Sequence, residues 1–375
     1  MIRLVLLIII FLISLLNFFD APTNKLWLLA VLVNCYPVIF AVVTALITSG
    51  AFIKQRFKWA GNILGIITIA IFLSPVLRAY DIAKTTRAEM VTALGETAVF
   101  PVENRPFMFS KLFKVNNVKI NPETLTYTTY PGFELKLDYY ASELSGSRPC
   151  VVVVHGGSWS SGDSKQLPEL NSYLAHVGYN VAAINYRLAP VYQNPAPVQD
   201  VKAAINYLNK NAVKLNIDTG KFVLLGRSAG AQVALLAAYT LNKPAIKGVV
   251  DFYGPADMVW GYSLPANPWV MDSRGVMAKY LGGTFEKVPQ NYTASSPIEF
   301  VTPQAPPTLI IHGKKDVLVA YGHSERLSAK LRQNGVKHYW LKIPWATHGF
   351  DFNLNSPGGQ LSTYATEAFI NTVTK

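Results

Sequence analysis

Charge is scarce in this chain. Asp, Glu, Lys and Arg supply 15% of its 375 residues, against ~25% for a typical soluble domain. That excludes a disordered chain, a coiled coil and a nucleic-acid-binding tail. The net charge of +12 contains no run of five like charges, so no nucleic-acid partner is expected. It describes a basic solvated surface, with attraction to anionic lipid headgroups as the sharper alternative. Cysteine is almost absent: Cys35 and Cys150 both sit in apolar runs and make neither a disulfide framework nor a metal site. No HExxH, CxxC, P-loop or EF-hand pattern occurs, so no metal and no cofactor is expected. Internal repeats and low-complexity tracts are missing too.

Apolar residues are plentiful, at 50% of the chain with a mean hydropathy of +0.23, and unevenly spread. Three apolar stretches, residues 4–19, 26–53 and 59–77, precede everything else. A helix needs ~20 residues to cross the hydrocarbon core; the second and third qualify and the first is marginal. The first ends in Asn17-Phe18-Phe19-Asp20-Ala21-Pro22, which lacks a small-x-small cleavage site, so a retained helix is favoured over a signal peptide. About three transmembrane helices over 1–77 are expected, with the lipid bilayer as a partner. Arg3, Lys54, Arg56 and Lys58 mark one side, and only Lys25 the other. The bias puts the amino terminus in the cytoplasm. An odd number of spans then leaves the rest of the chain on the extracytoplasmic side of the cytoplasmic membrane. Arg78, Lys84 and Arg87 argue the other way.

Residues 78–117 read as a connector with a short helix over Lys84–Leu94. Over 118–375 the periods alternate. Strands are predicted at Thr124–Thr129, Glu134–Tyr140, Cys150–Val154, Val181–Asn185, Phe222–Leu225, Gly248–Phe252, Thr308–His312 and Lys337–Ile343. Helices are predicted at Leu167–Val177, Val198–Asn211, Ala229–Leu241, Gly322–Asn334 and Gln360–Val373. Two antiparallel-looking strands followed by β-α alternation define an α/β class, with a mostly parallel central sheet flanked by helices.

The chemistry-bearing residues lie where such a sheet ends. Gly226-Arg227-Ser228-Ala229-Gly230 follows one strand and opens a helix. That is the context of a nucleophile elbow, in which a strained serine is exposed at the strand's carboxyl end. Ala229 opens the helix, so its N–H is free to face an anion. His155-Gly156-Gly157-Ser158-Trp159 follows the Val151–Val154 run as a loop that supplies further oxyanion donors. A serine needs a base. Of the six histidines, His348 stands in a loop between the last strand and the last helix, where loops converge on one face. Asp316 follows the preceding strand, and Ser228, Asp316, His348 is the chain order of this fold. Asp251, Asp257 and Asp351 are the rival acids.

These pieces resemble the α/β-hydrolase superfamily, and within it hormone-sensitive-lipase-like bacterial carboxylesterases and feruloyl-esterase-like enzymes. Tyr186-Arg187-Leu188-Ala189-Pro190, Ala294-Ser295-Ser296-Pro297-Ile298, Gly313 to Leu318 and His348-Gly349-Phe350 carry the resemblance, which covers roughly 118–375. It implies an α/β-hydrolase fold, a Ser228–Asp316–His348 triad, and an oxyanion hole of Gly156, Gly157 and Ala229. Arg227 departs from the acidic or small residue of many relatives. An insertion at about 255–300 reads as a cap. Its rings and the loop tryptophan, Trp159, Trp260 and Trp269 among them, either line an apolar ester pocket or simply pack. The expected activity is hydrolysis of a small-molecule or lipid-like carboxylic ester. Amide hydrolysis, acyl transfer and a silent membrane scaffold are the alternatives, and no oligomeric state is assigned.

Overall fold

Val151 to Val154 has no polar face, and a strand of that kind is stable only when covered on both sides. In the computed structural model, which describes residues 2–50, 58–102, 104–115 and 118–375, it is the centre of an eight-stranded sheet. The strands are β1 (Glu123–Tyr130), β2 (Phe133–Tyr140), β3 (Arg148–Val154), β4 (Asn180–Ile184), β5 (Ile217–Arg227), β6 (Ile246–Phe252), β7 (Thr308–Gly313) and β8 (His338–Ile343). Their spatial order is β1-β2-β4-β3-β5-β6-β7-β8. The β1–β2 and β2–β4 pairs are antiparallel, and every later pair is parallel. Val151, Val152 and Val154 are wholly buried, and alternate β3 residues feed two separate cores, one on each face of the sheet.

The helices that precede the sheet are α1 (Ile2–Ser14), α2 (Asn24–Cys35), α3 (Pro37–Ser49) and α4 (Lys58–Leu94). Those that follow are α5 (Pro168–His176), α6 (Ala196–Lys210), α7 (Ala229–Thr240), α8 (Met258–Ser263), α9 (Ser273–Leu281), α10 (Pro289–Ala294), α11 (Gly322–Gln333) and α12 (Pro357–Val373). The predicted strands and helices of the sheet region are all present with boundaries close to those read from sequence. β5 alone begins clearly earlier, at Ile217.

The three expected membrane helices are corrected. α1 has 13 residues, too few to span. The 26–53 stretch is not one helix: Pro37 starts α3, and α2 and α3 meet at 90°. Proline has no N–H to continue α2, while its fixed φ suits a first helical position. Among the described residues one helix, α4, is long and apolar enough to cross a membrane, or two spans if the bent pair counts as one. Nor does α4 end at Leu77. It runs 37 residues, and Val76, Ala79, Met90 and Leu94 join the core on one face of the sheet. The Tyr339 hydroxyl on β8 donates to Glu89 at 3.2 Å. Much of the expected connector is therefore a structural helix of the sheet domain. Residues 51–57, with Lys54 and Arg56, lie outside the described residues.

Candidate active site

The turn after β5 is as tight as the motif requires. Ser228 takes φ 53° and ψ −122°, a left-handed value that costs a non-glycine residue about 1–3 kcal/mol. The neighbours enforce it. A Cβ on Gly226 would stand 2.3 Å from the Gly230 carbonyl oxygen, and one on Gly230 would stand 2.2 Å from that of His155. Ser228 N–H donates to the Phe252 carbonyl at 2.9 Å, tying the elbow to the end of β6. Ala229 is the first residue of α7, so its N–H has no partner within the helix.

The loop after β3 comes alongside. His155 is buried, its ring stacked on Tyr186 at 4.3 Å, and burial pushes its pKa down. Gly157 sits at φ 119°, where a Cβ would strike the Ser161 carbonyl oxygen. The Gly156 N–H is already taken: it donates to Gln166 Oε1 at 2.7 Å. Of the three N–H groups expected to face an oxyanion, that of Gly156 is engaged in this way. Gln166 carried no signal in the sequence.

Asp316 and His348, the expected acid and base, meet across 32 residues of chain. His348 Nδ1 lies 2.6 Å from Asp316 Oδ2. The other carboxylate oxygen accepts the Leu318 and Val319 N–H groups, each at 2.9 Å. A second imidazole, His312, approaches Oδ2 at 3.2 Å through Nε2, with its Nδ1 2.7 Å from the Ser324 hydroxyl. Burial opposes charge on Asp316, but the two facing imidazoles, His348 foremost, hold its carboxyl well below the usual range.

The rival acids are engaged elsewhere. Asp251 accepts from Gly254 N–H at 2.7 Å, and burial pushes its pKa up to about 7. Asp257 caps α8 through Trp260 N–H and pairs with Arg326. Asp351 takes Arg227 Nε at 2.6 Å and the Tyr253 hydroxyl at 2.5 Å. The unusual Arg227 thus serves a buried ion pair, and the Tyr253 ring it helps fix lies 4.3 Å from that of His348. The other histidines are occupied too. His176 pairs with Glu143, and His338 lies 2.9 Å from the Ser328 hydroxyl. His323 is buried behind α8, where burial pushes its pKa down to about 3.

Ser228 borders two cavities. One, of about 240 Å³, is apolar and is walled by Trp159, Pro255, Leu264, Met271, Met277 and Leu318. The other, of about 410 Å³, also borders Gly156, Gly157 and His348, and its rim includes Asn24 and Trp27 of α2. Of the three tryptophans singled out, Trp159 alone lines either of these two cavities. It stacks on Tyr280 at 4.5 Å and 2°, and its indole N–H donates to Gln232 Oε1. Trp260 instead stands edge-on to His323, and Trp269 is 79% exposed. The cap's contribution is aliphatic and sulfur-bearing rather than aromatic, and small runs such as Leu264-Pro265-Ala266 carry no pattern that marks them. Among the described residues no group of three His, Cys, Asp or Glu side chains could hold a metal ion.

Strand order, elbow and loops together define an α/β hydrolase. Residues 137–331 match the family model described as BD-FAE, more than half of the chain, and the chain belongs to that family. Among curated proteins it is similar to esterase LipQ of Mycobacterium tuberculosis, 30% identical over 217 residues, covering 54% of this chain and 50% of LipQ. Esterase LipC of the same organism is 31% identical over 242 residues, covering 60% of this chain and 58% of LipC. The matches thus span only about half the length of these relatives. Among solved structures, the butyrate-bound esterase Est2 of Thermogutta terrifontis superposes with a TM-score of 0.55 at 21% identity, over 67% of this chain and 94% of that one. A truncated carbohydrate esterase from gut microbiota gives 0.53 at 23%, over 66% and 96%. At these identities the superpositions speak for the fold.

Proposed function

We propose that the chain is a membrane-anchored serine carboxylesterase. The observation that carries this reading is the strained Ser228 at the wall of the same cavity as His348, whose Nδ1 is held by buried Asp316. Ser228 Oγ attacks the ester carbonyl while His348 Nε2 accepts its proton. The Gly157 and Ala229 N–H groups receive the oxyanion as preorganised donors. Collapse expels the alcohol, protonated by His348, and leaves an acyl-serine. Water, deprotonated by His348, attacks that ester, and the acid departs with Ser228 restored. The apolar cavity suits the acyl group, and the wider one the alcohol; a small-molecule or lipid-like ester fits both. A serine-directed fluorophosphonate should label the detergent-solubilised full chain, and a series of nitrophenyl esters of graded length should be hydrolysed with a chain-length optimum. Absence of both would remove the reading.

The anchor in this reading is a bundle of α1, α3 and the first half of α4. Residues 58–77 of α4 extend ~30 Å, the depth of a hydrocarbon core. The bundle turns Leu12, Ile39, Leu46, Ile63 and Ile66 outward, each more than half exposed, which favours lipid over water as their solvent. The Arg3 side chain donates to the Ile47 and Thr48 carbonyls and to Asn62. It therefore gathers at the bundle end where α3 finishes and α4 begins, away from the sheet domain. A positive end opposite the catalytic domain supports a cytoplasmic amino terminus and an extracytoplasmic Ser228. Protease added to spheroplasts should digest a tag placed after Lys375. Protection of the tag until the membrane is permeabilised would reverse the orientation.

A further inference from the structure

Asparagine is expensive in an apolar helix bundle unless its amide is fully partnered, yet Asn17 and Asn34 are both buried among the first helices. Their partners form a line. Pro75 inside α4 has no N–H to give the carbonyl four residues back, that of Ile71. That carbonyl is taken instead by the Ser74 hydroxyl at 2.8 Å and by Asn17 Nδ2 at 3.4 Å. Asn17 Oδ1 accepts from Asn34 Nδ2 at 3.2 Å. Asn34 Oδ1 accepts the backbone N–H of Thr347 at 2.9 Å. The next residue is His348. Its own carbonyl accepts the indole N–H of Trp27, about two turns before Asn34 on the same face of α2, at 3.1 Å. Beyond it, Asn353 Nδ2 donates to the Cys35 carbonyl at 3.3 Å. The loop that carries the base is thus gripped on its amino side, at its centre and on its carboxyl side by α2, more than 300 residues earlier in the chain.

We propose that Asn34 and Trp27 are positioning residues for His348, and that Asn17 and the proline gap in α4 lock Asn34 in place, so that the amino-terminal helices are a working part of the active site as well as an anchor. The physical need is plain. Residues 344–349 follow β8 without regular structure, and Gly349 is left-handed at φ 80°. Asp316 holds the imidazole by one nitrogen, which leaves the ring free to swing with its backbone. A displacement near 1 Å is enough to cost on the order of 100-fold in turnover. The Thr347 N–H and His348 C=O bonds to α2 fix that backbone on both sides of the histidine Cα. Asn17–Asn34 pairing fixes which way the Asn34 amide faces, presenting its oxygen, not its nitrogen, to Thr347.

This inference rests on His348 being the general base, and the test separates the two. In the full chain in detergent micelles, Asn34→Ala, Asn17→Ala and Trp27→Phe are compared with wild type and with Ile66→Ala, a change on the outer face of the bundle. For a nitrophenyl butyrate, kcat should fall about 10- to 100-fold in Asn34→Ala and several-fold in Asn17→Ala and Trp27→Phe, with KM within about twofold in each. Ile66→Ala should match wild type. The combined Asn17→Ala, Asn34→Ala variant should be no worse than Asn34→Ala alone, because both act through one bond to Thr347. Hydrogen exchange read by mass spectrometry should be faster over residues 344–353 in Asn34→Ala and unchanged over α7. Exchange needs no turnover, so it decides the question even if wild type cleaves no ester tested. If Asn34→Ala fails to fold, Trp27→Phe, which keeps one aromatic ring and removes the N–H together with the five-membered ring, carries the same test through exchange over 344–353. Unchanged kcat together with unchanged exchange over 344–353 overturns the proposal. A loss confined to KM overturns it too, since that assigns α2 to substrate binding alone.

Discussion

Ser228→Ala is expected to abolish turnover, with a loss on the order of 10⁶-fold in kcat, while the protein stays folded. The two halves of that statement have separate grounds. Everything the elbow needs for its shape is backbone: Ser228 N–H to the Phe252 carbonyl at 2.9 Å, and glycines at 226 and 230 where a Cβ would collide. Alanine meets the same strain at φ 53° as serine does, so the turn persists. What disappears is the hydroxyl, and with it the covalent route. Residual hydrolysis would come from Gly157 and Ala229 polarising the carbonyl toward water. Fluorophosphonate labelling should vanish in parallel, with KM for a nitrophenyl ester little changed in whatever activity remains. Hydrolysis within tenfold of wild type in purified mutant protein would remove Ser228 from the mechanism.

The next largest effect is expected from Asp316→Asn, a loss of about 10⁴-fold in kcat. The geometry says why an isosteric amide fails. The carboxylate oxygen Oδ1 accepts two backbone N–H groups, from Leu318 and Val319, a role that only an oxygen fills. The asparagine must therefore turn its oxygen to that loop and its NH₂ toward His348 and His312. His348 Nδ1, at 2.6 Å, is then faced by a donor and becomes the acceptor, so the imidazole proton moves to Nε2. That nitrogen is the one that, in the proposed mechanism, takes the proton of Ser228. Asp251→Asn serves as the comparison, because the Asp251 side chain is as enclosed as that of Asp316 but bonds Gly254 and should leave kcat within a few-fold of wild type. A crippling Asp251→Asn beside a mild Asp316→Asn would transfer the acid to β6.

The buried Arg227–Asp351 pair bears on the same reading. Removing one partner of such a pair typically costs about 3–5 kcal/mol, because the other charge is left uncompensated. This residue stands beside Ser228 in sequence, yet its Nε is spent on Asp351 at 2.6 Å. Through Asp351 it serves the packing of Tyr253 against His348, and its side chain also lines the wider cavity.

What could be read in the residues alone was local in origin. Strand and helix periods depend on the few residues to either side, and so do the glycine demands of the Gly226–Gly230 turn and the order of the loops after β5, β7 and β8. Hence the parallel sheet and the convergence of Ser228, Asp316 and His348 loops on one edge were legible in advance. The apolar stretches were legible as apolar, but not as spans: Pro37 bends the second by 90°, and Pro75 stays inside a helix whose far half is claimed by the β8 side of the core. Choices between chemically equal candidates belonged to the tertiary structure. Four aspartates could have faced His348, and three were taken by Gly254, by Arg326 with a helix start, and by Arg227 with Tyr253. Gly156 looked as free as Gly157 until Gln166 reached it, and Trp260 and Trp269 looked like pocket walls until the cap folded them elsewhere. The grip of α2 on the His348 loop joins residues more than 300 positions apart. Its hydrogen bonds have no periodicity and no neighbours in sequence, so they exist only once two distant segments are buried against each other and their polar groups must find partners or stay unsatisfied.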